Sequence, residues 1–136
     1  AANKVQGQIT SANCSIAQRA ALTALTAPQQ ASKEMANAYY HRRALVYELL
    51  KEIPGIEANM PQGAFYFFPD VSSYFGKKDI KDSADLCLYL LEEAHVSLVS
   101  GEGFGEPNCL RLSYAASEDD LRTALERITN ALKKLI

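Results

Sequence analysis

The spacing of apolar residues changes between positions 108 and 135, and this change constrains the fold more than any other feature. In NCLRLSYAAS at 108–117, alternate residues are apolar, which predicts a strand with one buried face. After Ser117, which forms a variant capping box with Asp120, apolar residues recur every three or four positions, as in an amphipathic helix. The chain therefore ends in a strand and a helix, and we expect the helix to bury Leu121, Leu125, Ile128, Leu132 and Leu135.

The preceding part of the chain also alternates between helical and strand patterns. Helical patterns cover residues 16–25, 30–52 and 83–94, with Ser83 as an N-cap, and strand patterns cover residues 56–60, 64–69 and 96–100. The opening, residues 1–15, has little periodicity and is expected to be irregular. Because the strands occur in adjacent pairs between helices, we predict an α+β fold, with a small mixed or antiparallel sheet of about four strands packed by helices.

Composition and charge exclude several classes of function. The formal net charge of −2 and the scattered lysines and arginines leave no basic surface for nucleic acid. No apolar run approaches the roughly 20 residues that a membrane-spanning helix needs, so we expect a soluble protein with no membrane partner. Cys14, Cys87 and Cys109 are odd in number and far apart, which argues against a disulfide framework or a zinc site and favours reduced thiols in the cytoplasm.

Arg111 lies in the middle of the C-terminal strand, on the face opposite its apolar residues. The pattern alone allows two interpretations. Arg111 is either an ordinary exposed arginine on the solvent face, or a cation held in place to bind an anion.

The segment AFYFFP at 64–69 is apolar on both faces. Phe65 and Phe67 share one face of the predicted strand, while Tyr66 and Phe68 share the other. Because both faces are apolar, we expect other elements to pack against each of them. The strand is therefore either enclosed in the core or presents an aromatic wall to another domain or a ligand.

The glycine-rich segment and the two histidines give weaker indications of a binding or catalytic site. The glycine-rich segment GEGFG at 101–105 precedes a strand rather than a helix, so we expect a connector that needs positive φ angles and not a phosphate-binding loop. His41 and His95 have no partner at metal-ligand spacing, and we expect both to be structural or surface residues. The sequence therefore predicts no metal site.

Three segments together resemble the C-terminal third of a class I aminotransferase of fold type I, and in particular the prokaryotic aspartate aminotransferases. The segments are QGQITSANCSIAQRAALTAL at 6–25, PQGAFYFFPD at 61–70 and VSLVSGEGFGEPNCLRLSYAASEDDLRTALERI at 96–128. The resemblance runs in register over essentially the whole chain. It implies a homodimeric enzyme that uses pyridoxal 5'-phosphate to transfer an amino group between an amino acid and a 2-oxo acid.

The resemblance also implies roles for individual residues. Arg111 matches the arginine of the family's R-L-S-Y-A-x-S motif, which binds the α-carboxylate of the substrate, and its planar guanidinium suits a bidentate carboxylate. Phe65 of GAFY matches a position that lines the substrate pocket, where its ring would exclude water. Gln8, Thr10 and Ser11 match a loop near the dimer interface and the neighbouring active site.

Several features of the family are missing from this sequence. Transamination needs a Schiff-base lysine, an acidic partner for the pyridine nitrogen and a phosphate-binding cup, which the family carries upstream. No lysine of this chain matches the family's lysine motif; the lysines are Lys4, Lys33, Lys51, Lys77, Lys78, Lys81, Lys133 and Lys134. Ser100 replaces a proline of many relatives, which puts the rigidity of the connector after it in doubt.

We therefore expect a fragment that is inactive alone. The chain begins at Ala1 without a methionine, and the resemblance implies that residues 1–30 are the tail of the large cofactor-binding domain and residues 31–136 the aminotransferase small domain. Two other interpretations remain open from the sequence: a free-standing amino-acid-binding or regulatory α+β module, and a structural interaction domain that docks through the aromatic wall.

Overall fold

Five α-helices occur in the structure, a computed structural model that describes residues 1–10 and 13–136. They are α1 Ala2–Ile9, α2 Ser15–Thr26, α3 Gln30–Lys51, α4 Ser83–Ala94 and α5 Glu118–Lys133. The four helices predicted from apolar spacing are confirmed. The prediction of an irregular opening is wrong for α1. This helix buries none of its residues, so it needs no apolar stripe, and its alanine, lysine and glutamine residues favour a helix by themselves.

Three short strands form one antiparallel sheet in the described part of the chain. They are β1 Tyr66–Phe67, β2 Val99–Ser100 and β3 Leu110–Ser113, in the order β1-β3-β2. The register places Tyr66 opposite Ser113 and Val99 opposite Arg111. The segment 56–60 contributes only an isolated bridge between Glu57 and Asp70. The α+β class is confirmed, with three strands where we expected about four.

The chain divides into two compact units, Ala1–Glu34 and Met35–Ile136. In the first unit, α1 and α2 bury none of their described residues. The second unit contains the sheet, α4 and α5, and it holds the hydrophobic core. Among the described residues, no helix combines the length and the apolar character that crossing a bilayer would require.

The core of the second unit combines the inner face of the sheet with α3, α4 and α5. All five residues predicted for the buried face of α5 are in it. The other large members include Val46, Leu50, Phe67, Leu86, Leu90, Leu110 and Leu112. Complete burial of one such side chain contributes about 1.5 to 3 kcal/mol, so this core holds the sheet that carries Arg111 in place.

Polar side chains begin the two C-terminal helices. Ser117 is the N-cap of α5 as predicted, and its hydroxyl accepts a hydrogen bond from the Asp120 N–H at 3.1 Å. For α4 the predicted N-cap Ser83 is wrong, because Asp82 accepts from the N–H groups of Ala84 and Asp85 instead. Ser83 is buried, and its hydroxyl forms a hydrogen bond of 2.9 Å with that of Ser100.

Candidate functional site

Arg111 lies on the outer face of the sheet, at the centre of β3. Its neighbours in the strand, Leu110 and Leu112, are buried in the core, whereas Arg111 is half-buried. Val99 lies directly opposite on β2 and is 42 % exposed. The alternation predicted for this strand is therefore confirmed, and Arg111 has a fixed backbone on the face opposite the core.

The Arg111 guanidinium lies against two aromatic rings. Its central carbon is 4.6 Å from the ring centroid of Tyr66 and 4.8 Å from that of Phe104. Phe104 in turn meets Phe68 edge to face at 6.0 Å, and Tyr66 meets Phe65 at 4.5 Å. We call Phe65, Tyr66, Phe68 and Phe104 the aromatic cluster. Of the two predicted substrate-binding residues, Arg111 contacts this cluster through Tyr66 and Phe104, and among the described residues Phe65 is linked to Arg111 only through its neighbour Tyr66.

The hydrogen-bond donors of Arg111 have no partner in the part of the chain that the structure describes. Arg111 joins neither of the two salt bridges found there, and no side-chain hydrogen bond involves it. The only buried side-chain nitrogen without a partner among these residues is Nε of Arg43, so the Arg111 nitrogens reach solvent. A guanidinium with free in-plane donors can bind a carboxylate through two parallel hydrogen bonds.

Phe65 is fixed through its backbone. The Tyr114 N–H donates to the Phe65 carbonyl and the Tyr114 hydroxyl to the Ala64 carbonyl, both at 2.9 Å. Ala64 has a φ of +58°, a left-handed conformation that costs an alanine roughly 1 to 2 kcal/mol. The Phe65 ring is 40 % exposed and stacks on Tyr39 at 6.0 Å. An apolar ring held this way can cover a bound small molecule.

A groove of about 310 Å³ lies beside Phe65. Arg43, from α3, lines it and donates from Nη1 to the Pro61 carbonyl at 3.0 Å. This hydrogen bond joins α3 to the loop that leads into Phe65. Together with Tyr114 it holds both ends of the segment 61–65.

The connector between β2 and β3 is held by its own backbone. The Gly101 N–H donates to the Cys109 carbonyl at 2.9 Å, and the Ser100 hydroxyl accepts from the Glu102 N–H at 3.2 Å. Of its glycines only Gly105 has a positive φ, of +84°, while Gly101 is needed because a Cβ there would overlap the backbone of Glu106 and Cys109. Ser100 therefore fixes the connector by hydrogen bonds where a proline would do so by its ring.

The remaining predicted positions lie apart from the aromatic cluster in sequence. In the first unit, Gln8 is exposed in α1, the Thr10 hydroxyl donates to the Gln6 carbonyl at 2.9 Å, and Ser11 lies outside the described residues. His41 and His95 are exposed. No metal-binding group of side chains occurs within residues 1–10 and 13–136.

The surroundings of Cys109, which precedes the Arg111 strand, disfavour the thiolate, the nucleophilic form of cysteine. Partial burial, followed by the charges of Asp70 and Glu106, raises the pKa of the Cys109 thiol. A raised pKa keeps the sulfur protonated, and the thiol is a poor nucleophile in that form.

The residues described here do not fit a pyridoxal phosphate site. A Schiff-base lysine needs a depressed pKa and shelter from water, and every lysine except Lys77 is exposed. Lys134 has a pKa shifted in the opposite direction, because the Glu93 carboxylate accepts a hydrogen bond from its ammonium group and attracts its charge. No chemical step through the cofactor follows from this chain.

Tyr66 and Phe104 are the site residues that sequence reasoning missed. The sequence pattern places Tyr66 on the same strand face as Phe68 without saying what lies against that face, and it shows Phe104 only as the aromatic residue of GEGFG. Their contact with Arg111 depends on the order of the strands, which residue spacing does not specify.

Comparison with known proteins identifies the family. The model of the family "Aminotransferase class I and II" matches residues 1–128. An aspartate aminotransferase of Rhizobium meliloti (strain 1021) is 44 % identical over 96 % of this chain, and one of Pinus pinaster is 43 % identical over 97 %. The matches cover 33 % and 28 % of those proteins, so the chain spans about a third of their length.

A solved structure supports the same relationship. The crystal structure of the aspartate aminotransferase from Rhizobium meliloti matches with a TM-score of 0.89 at 44 % identity, covering 97 % of this chain and 34 % of that one. At this identity and coverage the likeness extends beyond the fold to the sequence. The chain belongs to the class I and II aminotransferases.

Proposed function

We propose that this chain is the C-terminal part of an aspartate-type aminotransferase, and that Arg111 binds the α-carboxylate of the amino acid and 2-oxo acid substrates. The observation that carries the proposal is Arg111 itself, a half-buried residue whose guanidinium donors have no partner among the described residues and whose backbone is fixed in β3. The two relatives named above are aspartate aminotransferases, which supports the aspartate type.

In this proposal the chain binds and orients the substrate. Arg111 holds the carboxylate from a rigid strand, which sets the orientation of the bond to be broken. Phe65 covers the substrate and excludes water. Pyridoxal phosphate supplies the electron sink in the complete enzyme, and its binding groups belong to a part outside these residues.

The proposal assigns residues 1–30 to the tail of a large cofactor-binding domain and residues 31–136 to the small domain. The division of the chain into Ala1–Glu34 and Met35–Ile136 supports this assignment, since its boundary lies close to the proposed one. The proposed partners are that large domain and a second subunit in a homodimer. The proposed location is the cytoplasm, where reducing conditions keep thiols such as Cys14, Cys87 and Cys109 free.

The proposal is tested by changing Arg111→Lys in the complete aminotransferase that contains this chain. A lysine keeps the charge but loses the planar fork, so we expect a higher KM for aspartate and a lower kcat, with kcat/KM reduced on the order of 100-fold. Steady-state kinetics measures both constants.

Arg127→Lys is the matched control, because Arg127 is an exposed arginine of α5. It should leave both constants unchanged. Near-normal kinetics of Arg111→Lys would return Arg111 to the role of an ordinary surface residue and reject the proposal.

A further inference from the structure

We propose that Phe104 and Tyr66 are positioning residues, which fix the plane of the Arg111 guanidinium so that its donors face the substrate carboxylate. The inference rests on the proposed carboxylate-binding role of Arg111. It adds two residues from separate segments, since Tyr66 belongs to β1 and Phe104 to the connector between β2 and β3.

The distances fit a direct attraction between the cation and both rings. The central carbon of the guanidinium is less than 5 Å from each ring centroid, well inside the roughly 6 Å limit for cation–π interactions. A planar guanidinium that rests on a ring uses its face, while its five N–H donors point outward in the plane. The rings can therefore hold Arg111 without occupying the groups that bind a carboxylate.

A ring also leaves the charge of Arg111 available. A carboxylate partner within the protein would neutralise the guanidinium and compete with the substrate for the same donors. No such carboxylate pairs with Arg111 among the described residues. Aromatic partners solve this problem, because they restrict the side chain and add no opposing charge.

The position of Phe104 is itself determined by the connector. The Phe104 N–H donates to the Gly101 carbonyl at 2.9 Å, and Gly101 is hydrogen-bonded to Cys109 just before β3. Gly105, with its positive φ, ends the single helical turn Glu102–Phe104. The backbone of the residue just before β3 thus helps to hold the Phe104 ring that lies against Arg111 of β3.

Phe104 contributes little to the core. Its side chain is 52 % exposed, and its aromatic contact is with Phe68, which is itself 38 % exposed. An exposed ring contributes little to the stability of the fold. A ring that positions a ligand-binding arginine, in contrast, must remain near the surface.

The test uses Phe104→Leu, Phe104→Tyr and Tyr66→Phe in the complete aminotransferase. Leucine keeps the apolar bulk and removes the ring, so we expect KM for aspartate to rise about tenfold with a smaller change in kcat, as for the loss of one cation–π contact in a partly desolvated site. Phe104→Tyr and Tyr66→Phe keep a ring and should retain KM near that of the unchanged enzyme.

Phe75→Leu is the matched control, since Phe75 is a partly buried phenylalanine in contact with the core and makes no cation–π contact among the described residues. It should leave KM unchanged even if the melting temperature falls. An unchanged KM in Phe104→Leu, or an equal rise in Phe75→Leu, would overturn the inference.

A second measurement separates this inference from the proposed function. The Nε–H resonance of Arg111 in the 136-residue chain should carry a ring-current shift that Phe104→Leu removes and Phe104→Tyr keeps. If Arg111→Lys leaves KM unchanged, the proposed function fails. If Arg111→Lys raises KM while Phe104→Leu affects neither KM nor the resonance, only the positioning role fails.

Discussion

Among the arginines of the second unit, Arg43 and Arg111 are fixed in different ways. Arg43 lies over Tyr40 at 4.9 Å and donates to the Pro61 carbonyl, so the protein itself uses one of its donors. Arg111 has two rings and no protein acceptor in the described part of the chain. The first arrangement suits a structural link between α3 and a loop. The second leaves the donors for a ligand.

At the residue scale the connector depends on Gly101. A Cβ at this position would overlap the Glu106 carbonyl and lie 2.6 Å from that of Cys109, and both are backbone atoms that cannot rotate away. We therefore expect Gly101→Ala to lower the free energy of unfolding by about 1 to 3 kcal/mol, measured by urea denaturation of the chain.

Gly103→Ala is the control in the same connector. No atom lies within 4 Å of a Cβ at Gly103, so this change should alter the free energy of unfolding by less than about 0.5 kcal/mol. Equal effects of the two changes would show that close backbone approach at Gly101 is unimportant.

The sequence predicted part of the candidate site. Alternation placed Arg111 opposite the buried face of its strand, and the family resemblance gave Arg111 and Phe65 their expected roles. The sequence did not predict the contacts of Tyr66 and Phe104 with Arg111, because these contacts depend on β3 lying between β1 and β2. Residue spacing specifies which face a side chain occupies, but not which strand lies beside it.

At the scale of elements, α4 and α5 pack against each other through their apolar faces, and a surface ion pair joins their C-terminal ends. Glu93 of α4 and Lys134, which follows α5, are 2.8 Å apart. The hydrogen bond and charge of Lys134 lower the pKa of the Glu93 carboxyl, with smaller contributions from Lys78 and His95. The same pair raises the pKa of Lys134.

The sign of these shifts sets a pH dependence. A carboxyl with a lowered folded-state pKa stabilises the protein above its unfolded-state pKa, and this stabilisation is lost as the pH falls through the folded-state value. Glu93→Gln should therefore lower the melting temperature slightly at neutral pH, and the difference should vanish in acid. Because both side chains are about half exposed, added salt should also reduce the difference.

Glu92→Gln is the matched control for this measurement, since Glu92 is the neighbouring exposed glutamate and forms no salt bridge among the described residues. A melting-temperature difference of Glu93→Gln that persists at low pH would contradict the ion-pair explanation.

Helices were easier to predict than strands. The apolar spacing predicted the first and last residues of α3 and α5 closely. Each helix contains its own backbone hydrogen bonds, and its buried face is visible in the sequence as a repeat of apolar residues. Three of the four segments predicted as strands contain strands of only two to four residues, and the fourth, 56–60, contributes only an isolated bridge. Their pairing needs a partner elsewhere in the chain, and Pro69, which has no N–H, follows β1 closely.

At the scale of the whole molecule, the two units differ in what holds them. The second unit has a hydrophobic core that includes residues of its sheet and of three helices. The first unit exposes large apolar side chains that include Ile9, Ile16, Leu22 and Leu25. The candidate site therefore lies on the unit that has a hydrophobic core to hold its shape.

This difference predicts a folded but inactive chain. When the 136-residue chain is incubated with pyridoxal phosphate, aspartate and 2-oxoglutarate, we expect no oxaloacetate above the level given by the cofactor alone, because no lysine of the chain matches the family's Schiff-base motif and every lysine except Lys77 is exposed. Circular dichroism and a cooperative melting transition should show that the second unit is folded in the same sample.

Calorimetric titration with aspartate should give no measurable heat, since Arg111 and Phe65 supply only one side of a binding site. Appreciable oxaloacetate would contradict the proposed division of chemistry between two parts of an enzyme, whereas binding that Arg111→Ala abolishes would favour a free-standing amino-acid-binding module.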